Sequence, residues 1–190
     1  MTVSFNLNDE QKKYLLQLAR DTVEASVAGK AFSINIPNDK ILLTPCGCFV
    51  TLHVNEKLRG CIGTFHADEP VYKTVNEMAC AALKDPRFTD SPLKKDELKR
   101  LDIEISILSP LAPTNDPLSL ELGTHGIYIK QGFMSGCFLP QVAVETGWTK
   151  EEFLSYCCAH KAGLPHDAWK DKQTTVYLFT AEIFSENEPL

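Results

Sequence analysis

Several absences narrow the reading before any motif is considered. No apolar run in the 190-residue chain approaches the roughly 18 residues that a membrane-spanning helix needs. The first ten residues, Met-Thr-Val-Ser-Phe-Asn-Leu-Asn-Asp-Glu, lack the basic and apolar regions of a secretory signal. There is no low-complexity tract and no internal repeat. Positive charge is scarce, with 19 Lys and Arg against 25 Asp and Glu, and the net charge of −6 argues against non-specific binding to nucleic acid or anionic membrane. Seven cysteines are present without a single Cys-x-x-Cys, so the common zinc and thioredoxin spacings are missing. A shared metal on Cys46, Cys48 and Cys157, Cys158 or His160 has the wrong spacing for structural zinc motifs. Adjacent Cys157 and Cys158 fall in a helical pattern, where neighbours point about 100° apart, and read as packing. The expectation is a cytoplasmic chain with reduced thiols, no metal site and no cofactor.

What is present suffices for one compact domain over residues 1–190, or a larger lobe with a smaller one, since 44% of the residues are hydrophobic. Residues 8–28 predict an amphipathic helix capped by Asn8, with Leu15, Leu18, Ala19 and Val23 on its apolar face and Gly29 ending it. Residues 41–65 predict a hairpin turning at Asn55-Glu56-Lys57. Pro70 suits the first turn of a second helix, with Asp68 or Glu69 before it, which runs to about Leu83, where Asp85-Pro86-Arg87-Phe88 breaks it. Leu101 to Leu108 alternates between apolar and polar residues and predicts a strand. Ser109 to Asn115 reads as a loop or lobe boundary. Gly123-Thr124-His125-Gly126 predicts a tight turn, followed by a short hairpin ending at Leu139-Pro140. A helix follows, with a capping box at Thr149 and Glu152, and Thr174 to Phe184 reads as the last strand. Helices mixed with hairpins, without regular strand–helix alternation, predict an α+β fold.

The densest signal is Leu58-Arg59-Gly60-Cys61-Ile62-Gly63. Strict alternation places Arg59 and Cys61 on one face about 7 Å apart. A guanidinium there favours the reactive thiolate or holds an anionic substrate. Gly60 and Gly63 bare the backbone for close approach by a ligand or another segment. Cys61 is thus a candidate nucleophile or acid/base group, and His125 a candidate base, since Cys–His pairs activate thiols. Glu104 is placed to orient His125 or pair with Arg59, and Gln141 and Lys161 to orient a substrate. The plainer alternatives are a packed cysteine, a histidine bonded to its own turn, a solvated Glu104, Lys161 as a helix C-terminal cation, and Arg87 pinning a loop to a carboxylate. Trp148 and Trp169 read as packing, and His53 and His66 carry little signal.

Seven motifs in order resemble the AMMECR-one domain family, whose prokaryotic members are called AmmeMemoRadiSam system protein A. They are Gly47-Cys48-Phe49-Val50-Thr51-Leu52, Leu58-Arg59-Gly60-Cys61-Ile62-Gly63, Asp85-Pro86-Arg87-Phe88, Ile103-Glu104-Ile105-Ser106, Gly123-Thr124-His125-Gly126, Leu139-Pro140-Gln141-Val142 and Lys161-Ala162-Gly163-Leu164. The resemblance implies a two-lobe fold, with mostly antiparallel or mixed sheet flanked by helices and a cleft between the lobes. It also implies association with a Memo-type protein and a radical S-adenosylmethionine enzyme. It carries no residue roles. The leading functional expectation is an enzyme, or an enzyme component, acting on a small molecule in a cleft lined by Arg59, Cys61 and His125, with Gly60, Gly63, Glu104, Gln141 and Lys161 contacting the substrate. The alternative is a non-catalytic binding or scaffolding module for a protein partner. Nucleotide or RNA binding is a weaker one, resting on Lys94, Lys95, Lys99 and Arg100, which Asp96 and Glu97 interrupt.

Overall fold

The computed structural model describes residues 6–187. In chain order it contains α1 (Asp9–Val27), β1 (Cys48–Val54), β2 (Lys57–Thr64), α2 (Val71–Ala82), β3 (Leu101–Leu108), β4 (Ala112–Thr114), β5 (Gly126–Gln131), β6 (Met134–Phe138), α3 (Pro140–Thr146), α4 (Lys150–Tyr156), β7 (Thr175–Phe179) and β8 (Ala181–Ser185). Two four-stranded sheets form, ordered β2-β1-β3-β8 and β4-β7-β5-β6. Every registered strand pair is antiparallel. The chain divides into two compact units, one ending at Leu108 and resuming at Glu182, the other spanning Ser109–Ala181.

In the first unit, α1 starts where the sequence predicts. The Asn8 side chain accepts the Gln11 N–H and the Gln11 side chain accepts the Asn8 N–H, each at 2.9 Å. Gly29 follows with φ +66°. The β1–β2 hairpin turns on Asn55 and Glu56, both at positive φ, as a two-residue primed turn requires. Val50, Leu52, Ile103, Ile105 and Ile107 are all but fully buried and form one core with α1 and α2. That core takes one face of the sheet and leaves the alternate residues Thr51, Glu104 and Cys61 on the other. α2 begins at Val71, with Pro70 as the capping residue and no side-chain cap from Asp68 or Glu69.

In the second unit, β5 and β6 turn at Gly132 (φ +60°). Thr149 and Glu152 complete the predicted capping box of α4. α4 then widens into a π turn over Cys157–Ala162, closed by Gly163 at φ +68°. Phe153, Leu154, Cys157, Cys158, Ile127 and Ile129 are fully buried in this unit's core, so the paired cysteines are packing.

Three sequence expectations are refined by the structure. The 109–115 segment, read as a loop or lobe boundary, begins where the second unit begins, and within it Ala112–Thr114 pairs with β7 as a short edge strand, where Pro113 is tolerated. The single strand expected over 174–184 is two, interrupted at Thr180, with β7 and β8 in different sheets. The short strand expected to end at Leu139-Pro140 ends at Phe138, and Pro140 then opens α3, a position where its missing N–H costs nothing, so Gln141 sits on a first helical turn. Among the described residues no helix is long and apolar enough to cross a membrane.

Candidate functional site

Two of the sequence motifs meet at the backbone of Cys61. Asp85 caps a short 3-10 turn over Pro86–Phe88 by accepting the Arg87 N–H at 3.0 Å. Its other carboxylate oxygen accepts the Cys61 N–H at 2.9 Å. The Arg87 guanidinium pairs with the same carboxylate at 2.6 Å and donates to the Cys61 carbonyl at 3.1 Å. Both polar groups of the Cys61 backbone are thereby held by side chains from one turn. This pairing is the carboxylate pin that Arg87 suggested. Asp85 is 2% exposed, and the guanidinium holds its carboxyl at about 2, well below the usual carboxylate range. Gly60 and Gly63 serve the same packing. A methyl group on Gly60 would overlap the Ala82 carbonyl at the end of α2, and one on Gly63 would overlap the Phe49 ring.

Arg59 does not act on the thiol as alternation suggests. The β1–β2 register shifts between Leu52 and His53, which oppose Gly60 and Leu58, so Arg59 is an inserted bulge residue and the period of two breaks there. Its guanidinium pairs with Glu97 at 2.6 Å and donates to the Ser91 carbonyl at 2.8 Å, and both partners of the ion pair are largely buried. Glu97 is thus a carboxylate partner of Arg59 that the sequence reading did not name. The cation beside the thiol is Arg87.

Cys61 itself is half-buried at the end of a row, Cys61–Thr51–Glu104, that crosses β2, β1 and β3 on the face turned away from α1 and α2. The Thr51 hydroxyl donates to Cys61 Sγ at 3.3 Å. Burial raises the thiol pKa and prevails over the Thr51 hydrogen bond and the Arg87 charge, which lower it; Glu104 and Asp85 raise it further. The thiolate expected from the Arg-Gly-Cys spacing is therefore corrected to a protonated thiol at neutral pH. On the same face Ser106 is 1% exposed, and its hydroxyl has no hydrogen-bond partner among the described residues.

Arg59, Gly60, Cys61, Gly63 and Glu104 thus share the first unit's sheet, while His125, Gln141 and Lys161 belong to the second unit. His125 Nδ1 accepts the Glu121 N–H at 3.0 Å, the self-bonded turn among the alternatives. That bond occupies the Nδ1 lone pair. Lys161 lies in the last turn before Gly163, with Nζ 5.6 Å from the centre of the Phe138 ring. Gln141 is half-buried on α3. Sequence reasoning missed Thr51 and Asp85 as partners of Cys61. The signal for Thr51 was its parity on β1, and for Asp85 its capping position before Pro86. Among the described residues no group of three or more His, Cys, Asp or Glu side chains is arranged to hold a metal ion.

The arrangement defines a class: an α+β protein with two helix-associated antiparallel sheets and a cysteine held at the backbone by an Asp-Pro-Arg turn. The chain belongs to the AMMECR1 family, whose family model matches residues 16–184. It is 40% identical over 181 residues to Protein NEQ441 of Nanoarchaeum equitans, covering 91% of this chain and 99% of that one. It is 41% identical over 183 residues to a protein of Aquifex aeolicus, covering 92% of each. The crystal structure of an uncharacterized protein, PH0010, from Pyrococcus horikoshii has the same fold, with a TM-score of 0.89 and 38% identity over 97% of this chain and 96% of that one.

Proposed function

We propose that the sheet face around Cys61 binds a small polar molecule, and that the chain acts on it as an enzyme or an enzyme component with Cys61 as the reacting group. The observation that carries this reading is the convergence of the Thr51 hydroxyl and the Arg87 guanidinium on a half-buried thiol. With its pKa raised by burial, the thiol depends on the Arg87 charge and on a bound substrate to ease its ionisation when it reacts. The role first given to Arg59 passes to Arg87. A cytoplasmic location suits the seven free cysteines. A Memo-type protein and a radical S-adenosylmethionine enzyme are the proposed partners.

A second reading, a non-catalytic docking module, draws on one specific observation: both arginines of the site are paired with carboxylates of the same unit. The two readings separate in a deletion strain complemented with variants and followed by untargeted metabolite profiling. Cys61→Ser keeps the hydrogen bond to Thr51 but loses the thiol. The enzyme reading expects the metabolite accumulated by the deletion to persist with Cys61→Ser at normal protein levels. Full restoration of the profile by Cys61→Ser would leave the docking reading in its place.

A further inference from the structure

The π turn that ends α4 places two imidazoles together in the second unit. The His160 and His166 rings lie 5.9 Å apart between centroids, with their planes at 90°. Both side chains are exposed, and both rings also contact Tyr156, at 5.6 and 6.0 Å. None of these residues takes part in the site around Cys61. We propose that His160 and His166 form a binding site for a divalent transition-metal ion of the zinc class, with water completing the coordination.

The geometry supports this in two ways. With a Zn–N bond of about 2.1 Å, each ring centroid stands about 3.2 Å from the metal, so two rings at the tetrahedral angle have centroids about 5.2 Å apart. The rings meet edge to face at 5.9 Å, so both exposed side chains must reorient to turn a nitrogen of each toward a shared ion, a change of under about 1 Å in centroid separation. The backbone between the histidines is also fixed in advance. Gly163 takes the left-handed conformation at φ +68°, the Leu164 N–H bonds the Cys158 carbonyl at 2.8 Å, and Cys157, Cys158, Ala162, Leu164 and Ala168 are buried. The turn therefore does not have to be ordered when the ion binds, which removes an entropic cost of chelation. Neutral imidazole is a good ligand for zinc, nickel and copper, and the water-filled positions leave the ion open to a further ligand.

The test is isothermal titration of the full chain with Zn²⁺ under reducing conditions at pH 7.5 and 5.5, alongside His160→Ala, His166→Ala and, as controls, His53→Ala and His66→Ala. The expected result is one ion per chain at pH 7.5, with binding at least tenfold weaker at pH 5.5, because protons compete with the metal for its ligands. The same tenfold weakening is expected in each of His160→Ala and His166→Ala, but in neither control. A parallel melting experiment reads the same site without calorimetry: Zn²⁺ should raise the melting temperature of the wild type and of the controls, but not of the two site variants. Zn²⁺ binding that survives both site substitutions, as it would on the thiols, overturns the proposal, as does the absence of binding at millimolar Zn²⁺.

Discussion

Asp85→Ala lowers the unfolding free energy by about 2–3 kcal/mol, because it strands the Cys61 N–H and removes the carboxylate that neutralises Arg87. The guanidinium is half-exposed, so water offsets part of the loss and keeps the figure below that of a fully buried pair. Urea denaturation of wild type and variant measures it, and a difference under 0.5 kcal/mol would contradict the clamp. The same group sets an acid limit. The folded-state carboxyl is depressed to about 2, against about 3.9 in an unfolded chain. Its contribution is therefore complete above about pH 4 and is lost as pH falls through the folded value. Wild type should lose stability between about pH 4 and pH 2 more steeply than Asp85→Ala, whose own loss there comes only from the remaining carboxylates.

Gly60→Ala has an effect of similar size through packing. The added methyl meets the backbone carbonyl of Ala82 rather than the end of a flexible side chain, so strand β2 or the end of α2 must shift. Overpacking of this kind costs about 1–3 kcal/mol. Thermal or urea unfolding of Gly60→Ala checks it. Stability equal to wild type would mean that the glycine is there for a ligand's approach and not for the helix. The substitution also separates two meanings that the Arg-Gly-Cys-Ile-Gly segment carries in the sequence, since a bare backbone serves ligand access and helix packing alike.

Where the sequence was legible, local rules and tertiary demands agreed. The Asn8 and Thr149 capping boxes, the alternating β3 and the turn at Asn55-Glu56 are each decided within a few residues. Where it misled, the deciding contact was distant. The bulge that removes Arg59 from the Cys61 row depends on the pairing of β2 with β1, and Glu97 reaches Arg59 from 38 residues away. Asp85 reaches Cys61 across 24 residues, so neither motif alone announces that the two form one clamp. The thiol's ionisation was misjudged for a related reason. The spacing of Arg59 and Cys61 is visible in the sequence, but the burial that raises the pKa is a property of the folded unit. Likewise the turn around His125 was legible, whereas the Glu121 N–H that fixes its tautomer was not.

The central claim is that Cys61 is a protonated thiol whose ionisation answers to Arg87 and not to Arg59. The direct measurement is the rate of iodoacetamide modification at Cys61, read by peptide mass spectrometry from pH 6 to 10 in wild type, Arg59→Gln and Arg87→Gln. The account predicts slow reaction at pH 7 and a titration above that of a free thiol, about 8.5. It further predicts a still higher midpoint in Arg87→Gln and an unchanged midpoint in Arg59→Gln. Fast modification of wild type at pH 7, or a midpoint that moves with Arg59→Gln and stays put with Arg87→Gln, would contradict it.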